Sequence, residues 1–187
     1  MRRQPLVLLA ALIVGMASTA TVAAVAASGG LGGRPSAGTP SCSEPSRLAG
    51  SVVDVVTWDM DSMMGGGPMM RDTARPGTMG LRVSGSTAAA GAVSIVVDNA
   101  GFRTHELVVL PLLQGNIGER SVGSDGKVSE AGSLGEASRS CGSGAGDGIT
   151  AGSTGWVTLH LPAGRYELVC NEPWHYYSGM YGEFDVT

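Results

Sequence analysis

From about residue 49 onward, apolar residues recur at every second position, in runs too short for helices. "SVVDVVTWDM" sets Val53, Val55 and Thr57 on one face. "TMGLRVSG" does the same with Met79, Leu81 and Val83, and "GAVSIVVDNAG" with Val93, Ile95 and Val97 before an Asn/Gly turn. "HELVVLPL" follows. "GWVTLHLPAGRYELVC" reads as two strands around a Pro-Ala-Gly turn. Val157, Leu159 and Leu161 face inward on the first, and Tyr166, Leu168 and Cys170 share a face of the second. "YGEFDVT" closes the series with Phe184 and Val186. A period of two buries one face of each strand, and short strands separated by turn residues predict an antiparallel sandwich or barrel. The 30 glycines and the 15% of charged residues agree with many turns and few solvated helices. No segment carries a long helical period, although "VSEAGSLGEASRS" has room for a turn or two of helix. Residues 113–153, rich in Gly, Ser, Asp and Glu, form a connection too long to lack structure or function in a compact domain.

Ahead of the strands lies a targeting segment. Arg2 and Arg3 precede the apolar run "PLVLLAALIVGMASTATVAAVAA", and Ala24-Val25-Ala26 has the form of a signal-peptidase site. Leu6 to Ala27 is also long enough to cross a bilayer. Residues 1–27 are therefore expected to be a cleaved signal peptide or a retained N-terminal membrane anchor. Either places the rest of the chain outside the cytoplasm: secreted, periplasmic, or held on the outer face of the cytoplasmic membrane. Residues 28–48 read as a Gly/Ser/Pro-rich linker. Cys42 lies within it, too far downstream of the apolar core to be a lipid-modified cysteine. Residues 49–187 are left as one domain, expected to be monomeric. With 12 basic and 16 acidic residues and a formal charge of −4, the chain offers nucleic acid no electrostatic attraction.

Cysteine and histidine are scarce, at three of each. Yet "CNEPWHYYSGM" holds Cys170, His175 and Met180, with four residues between each and the next. Thiolate and thioether are soft ligands and imidazole suits copper; two imidazoles, one thiolate and a weak axial thioether make a blue-copper electron-transfer site. Two histidines compete to supply the second imidazole. His160 shares a strand face with Trp156 and Thr158, opposite Val157, Leu159 and Leu161, and so points outward. His105 opens "HELVVLPL" directly after the turn "DNAGFRT", on the face of Leu107 and Val109, and is the better candidate.

At these residues the chain resembles the cupredoxins. "NAGFRTH" is similar to their first-histidine segment, and "CNEPWHYYSGM" to their C-terminal ligand loop. The C-x4-H-x4-M spacing, Pro173 and the "GMYG" exit are closest to the sulfocyanin- and rusticyanin-like subgroup. The resemblance runs over residues 49–187 and is strongest at 92–111 and 156–187. It implies an all-β fold, a Greek-key β-sandwich of about seven or eight strands, and one type 1 copper held by His105, Cys170, His175 and, weakly, Met180. One position departs from the pattern. Cupredoxins often follow the first histidine with Asn, Ser or Thr, bonded across to the cysteine loop; here Glu106 follows and Thr104 precedes.

Two features stand outside this set. Cys42 and Cys141, spare cysteines in an exported chain, are disulfide candidates, with free thiols as the alternative. "DMDSMMGGGPMMRD" gathers Met60, Met63, Met64, Met69 and Met70, either as soft ligands for Cu(I) or as cover for the sandwich. Two functions are thus open. The first is one-electron transfer between redox partners such as a cytochrome or a terminal oxidase, with the aromatic residues around His175 as a docking patch. The second is extracytoplasmic copper storage, delivery or resistance, using the methionine-rich loop. Enzyme activity is not expected: three histidines cannot supply the paired His-x-His segments of a trinuclear copper cluster.

Overall fold

The computed structural model describes Cys42 and residues 47–59, 78–112 and 115–187. The segment 1–27, nearly all of the linker, and Met60, Met63, Met64, Met69 and Met70 lie outside the described residues. Among the described residues there are nine strands and no helix: β1 (Ser51–Asp59), β2 (Met79–Ser84), β3 (Thr87–Ala88), β4 (Gly91–Asn99), β5 (Leu107–Pro111), β6 (Gly135–Ala137), β7 (Thr154–Leu161), β8 (Gly164–Val169) and β9 (Tyr181–Val186). They form two sheets, ordered β2-β1-β4-β7 and β3-β9-β8-β5-β6. The chain crosses between sheets from β2 to β3 and back to β4, from β4 to β5, from β6 back to β7, and from β7 to β8, which gives the Greek-key sandwich. Two of the nine strands, β3 and β6, are only short edge additions.

The sheets are not wholly antiparallel. β1 pairs with β4 in parallel, and β3 with β9 likewise. Parallel neighbours need a long connection, and β1 and β4 have one: the chain visits β2 and then β3 in the opposite sheet before returning.

Alternation explains the core. Val53 and Val55 on β1, Val93, Ile95 and Val97 on β4, and Val157 and Leu161 on β7 meet Leu107, Val109, Tyr166, Leu168, Phe184 and Val186 from the second sheet. Each fully buried Leu, Ile or Phe among them contributes about 1.5–3 kcal/mol. β5 departs from simple alternation, because Leu107 through Leu110 are all buried. Its outer face, with Val108 and Leu110, packs with Val169 of β8 against Val128, Tyr176, Val122 and Tyr181. The segment 115–134 thus roofs the second sheet.

The expected helical turn in 128–140 is absent. Gly132 and Gly135 adopt φ of 84° and 142°, outside the helical range. Residues 135–137 instead add β6 to the edge of β5. Pairing register brings the end of β1, the start of β2, the end of β4, the lead-in to β5, the end of β8 and the start of β9 to one end of the sandwich.

Candidate metal centre

His105 sits just ahead of β5 and is held by its backbone. Its N–H donates to Ile149 O (3.0 Å) and its carbonyl accepts from Ile149 N–H (2.7 Å). The preceding turn is organised by Asn99. Its Nδ2 donates to the carbonyls of Arg103 and Ile149, both at 2.7 Å, and its Oδ1 accepts from Gly101 N–H at 2.9 Å. This is an Asx-type turn, in which a short amide side chain replaces backbone partners.

The other three residues lie on one loop, closed at its neck by Cys170 N–H donating to Met180 O (3.0 Å). Within it, His175 N–H donates to Glu172 O (3.0 Å), Met180 N–H to His175 O (3.2 Å), and Ser178 Oγ to Trp174 O (2.9 Å). Trp174 adopts a left-handed φ of 67°. It is pinned there by donating its N–H to Gly126 O at 2.7 Å. Asn171 exchanges hydrogen bonds with the backbone of Val128, accepting at 2.8 Å and donating at 3.0 Å.

These two supports bring His105, Cys170 and His175 together. His105 Nδ1 lies 3.2 Å from His175 Nδ1, and Cys170 Sγ lies 3.3 Å from His175 Nδ1 and 3.7 Å from His105 Nδ1. A triangle of that size has a centre about 2 Å from each corner, the length of a bond from imidazole nitrogen to a first-row metal. Two imidazoles and a thiol are a borderline-to-soft donor set that suits copper. The fit is therefore good in both size and chemistry. The Met180 side chain is fully buried and packs with Cys170 and Met79, which sets the thioether beside the thiol.

The environment is dry. Burial pushes the Cys170 thiol up to about 12, against the amides of Glu106 and Glu172, which lower it. Burial likewise depresses His175, to about 4, with His105 and Arg103 adding to the effect. His105 is lowered by burial in spite of Asp59. Both rings are neutral at pH 7 and so able to offer a lone pair.

Glu106 differs from the Asn, Ser or Thr expected at its position. Its backbone N–H, not its side chain, makes the link to the cysteine, donating to Cys170 Sγ at 3.4 Å. Its carboxyl is buried, with Oε1 lacking a hydrogen-bond partner, and is raised to about 7 by burial and by Glu172.

Other candidates fall elsewhere. His160 is exposed on β7. Cys42 and Cys141 are joined as a disulfide, Cα to Cα 5.0 Å.

Sequence reasoning missed Asp59, the last residue of β1. Its Oδ2 stands 3.1 Å from His105 Nε2. Strand parity carried the signal: Val53, Val55, Thr57 and Asp59 share the inward face, and a carboxylate there needs a partner.

No family model and no curated protein matches the chain. Among solved structures it is similar to the dithionite-reduced auracyanin of the photosynthetic bacterium Roseiflexus castenholzii, at 12% identity over 75% of this chain and 99% of that one, with a TM-score of 0.43. It is also similar to rusticyanin from Thiobacillus ferrooxidans, at 20% identity over 74% and 79%, with a TM-score of 0.40. Those scores are low, and the fold assignment rests on the chain's own strand order. Two sheets joined by Greek-key crossings, with His105, Cys170, His175 and Met180 gathered where β5, β8 and β9 meet, make this chain a cupredoxin-like β-sandwich.

Proposed function

We propose that this protein is an extracytoplasmic type 1 copper protein that passes single electrons between redox partners. His105 Nδ1, Cys170 Sγ and His175 Nδ1 are the strong ligands and Met180 the weak fourth. In this reading residues 1–27 export or anchor the chain, 28–48 tether it, and 49–187 carry the centre. One observation supports it above the others: three ligand atoms converge to within 3.7 Å in a buried pocket, held by backbone hydrogen bonds that do not depend on a metal. Copper, when bound, supplies the one-electron couple. The protein buries the ligands, orients both rings, and excludes water, so that little rearranges when the charge changes. Trp174 and Tyr177, exposed and in edge-to-face contact at 6.4 Å beside His175, suit brief docking of a partner such as a cytochrome or a terminal oxidase.

The test is a Cu(II) titration of the purified protein followed by visible absorption and electron paramagnetic resonance, with Cys170→Ser alongside. An intense thiolate-to-copper band saturating at about one equivalent, absent from the variant, is the expected result. Copper bound only as Cu(I), with no such band and lost when Met63, Met64, Met69 and Met70 are changed, would overturn it in favour of copper storage or delivery.

A further inference from the structure

Asp59 lies outside the proposed ligand set, yet its side chain is fully buried at the same end of the sandwich. Oδ2 accepts hydrogen bonds from Phe102 N–H at 2.7 Å and from Arg103 N–H at 3.0 Å, and it stands 3.1 Å from His105 Nε2. Oδ1 is buried without a hydrogen-bond partner. A Cβ at Gly101 would collide with both Asp59 Oδ2 and His105 Nε2, so the glycine in "NAGF" lets the turn pack directly over this pair.

Building on the copper reading above, we propose that Asp59 is a positioning residue for the centre. It holds the His105 proton on Nε2, which leaves Nδ1 open toward Cys170 and His175. It also sets a fixed negative charge one imidazole away from the metal, which favours Cu(II) over Cu(I).

Geometry and chemistry both support this. A neutral imidazole carries one proton, and the nitrogen that meets a carboxylate keeps it. Carboxylate–histidine pairs fix ring orientation and raise the basicity of the coordinating nitrogen. A capping role for the loop amides alone does not need the charge. Asparagine would offer an oxygen to the same donors without burying an anion, and a buried ion with an unsatisfied oxygen is costly. Reduction lowers the charge of the centre by one, so an anion in a low-dielectric site opposes it.

Two measurements test the proposal. In the metal-free wild-type protein, nitrogen-15 spectroscopy of the His105 ring should find the proton on Nε2, and Asp59→Ala should lose that preference. In the copper-loaded protein, Asp59→Asn keeps an acceptor oxygen and removes the charge. Its thiolate band should persist while the ratio of Cu(II) to Cu(I) affinity falls about tenfold or more, equivalent to a rise in potential of about 59 mV per tenfold for one electron. A proton on Nδ1 of His105 in the wild type, or an Asp59→Asn protein with unchanged affinity ratio and potential, would overturn it. A wild type that shows no thiolate band defeats the copper reading instead, and the position of the His105 proton still decides what Asp59 does to the ring.

Discussion

His105 and His175 make the protein sensitive to acid. His175 falls from an ordinary 6.5 to about 4 when folded, because burial and the neighbouring His105 disfavour its charge. A folded value below the unfolded one means that the unfolded chain binds the proton more readily. The stabilisation is then complete above about pH 6.5 and is lost progressively as pH drops toward 4. At pH 5 the loss from His175 is about 2 kcal/mol, and His105, shifted in the same direction, adds to it. Urea midpoints of the metal-free protein at pH 7 and pH 5 check this; equal midpoints would show that the pocket opens to water. At this scale the clustering of His105, Cys170, His175 and Met180 was legible because cysteine, histidine and methionine spacing is written along the chain. Asp59 was less so. It stands 46 positions from His105, and only its parity on β1 hints at an inward carboxylate. The role of Glu106 was harder still, since the hydrogen bond to Cys170 comes from its backbone, which no side-chain identity reveals.

Among elements, the roof over the second sheet is held to the loop from Cys170 to Met180 by a buried ionic network. Arg120 Nε donates to Glu167 Oε2 at 2.6 Å with both side chains nearly covered. Glu167 Oε1 accepts from Gly118 N–H and from Tyr176 Oη, both at 2.8 Å. The Tyr176 hydroxyl in turn accepts from Arg120 N–H at 3.0 Å. Tyr176 follows His175 directly, so the network anchors the loop from its outer side. Arg120→Ala leaves Glu167 as a buried anion without its cation, a change that costs about 3–5 kcal/mol. Tyr176→Phe removes the charge-assisted hydrogen bond to Glu167, which costs about 1.5–3 kcal/mol, and with it the weaker one from Arg120 N–H. Chemical denaturation should rank them in that order, and a near-neutral Arg120→Ala would mean that Glu167 is satisfied by other groups. The strands themselves were legible from alternation, β1, β4, β7, β8 and β9 almost residue by residue. The segment 115–153 was not. It is held by partners far away in sequence, Arg120 with Glu167, Val128 with Asn171 and Ile149 with His105, and such pairings leave no period to read.

For the molecule as a whole, the disulfide joins Cys42 to the sandwich at an informative place. Cys141 lies in a stretch that runs parallel to β7: Gly144 N–H donates to Trp156 O at 2.9 Å, and Trp156 N–H to Gly142 O at 3.1 Å. A few residues on, the same connection supplies Ile149, which holds the His105 backbone. The disulfide is thus fastened beside the edge of the first sheet, a few residues ahead of the support for His105. The bond spans 99 positions, and closing so long a loop in the unfolded chain contributes on the order of 2–4 kcal/mol. His105 has further supports, since Asn99 also bonds Ile149 and Asp59 holds the ring, and the loop from Cys170 to Met180 closes on itself. Replacing Cys42 and Cys141 together with serine should thus lower the unfolding free energy by about 2–4 kcal/mol and leave the thiolate-to-copper band and the potential unchanged. Denaturation and voltammetry on the same double variant separate the two effects. A shift in the band or the potential would mean that the connection through Cys141 sets the position of His105, and that the disulfide supports the centre as well as the fold.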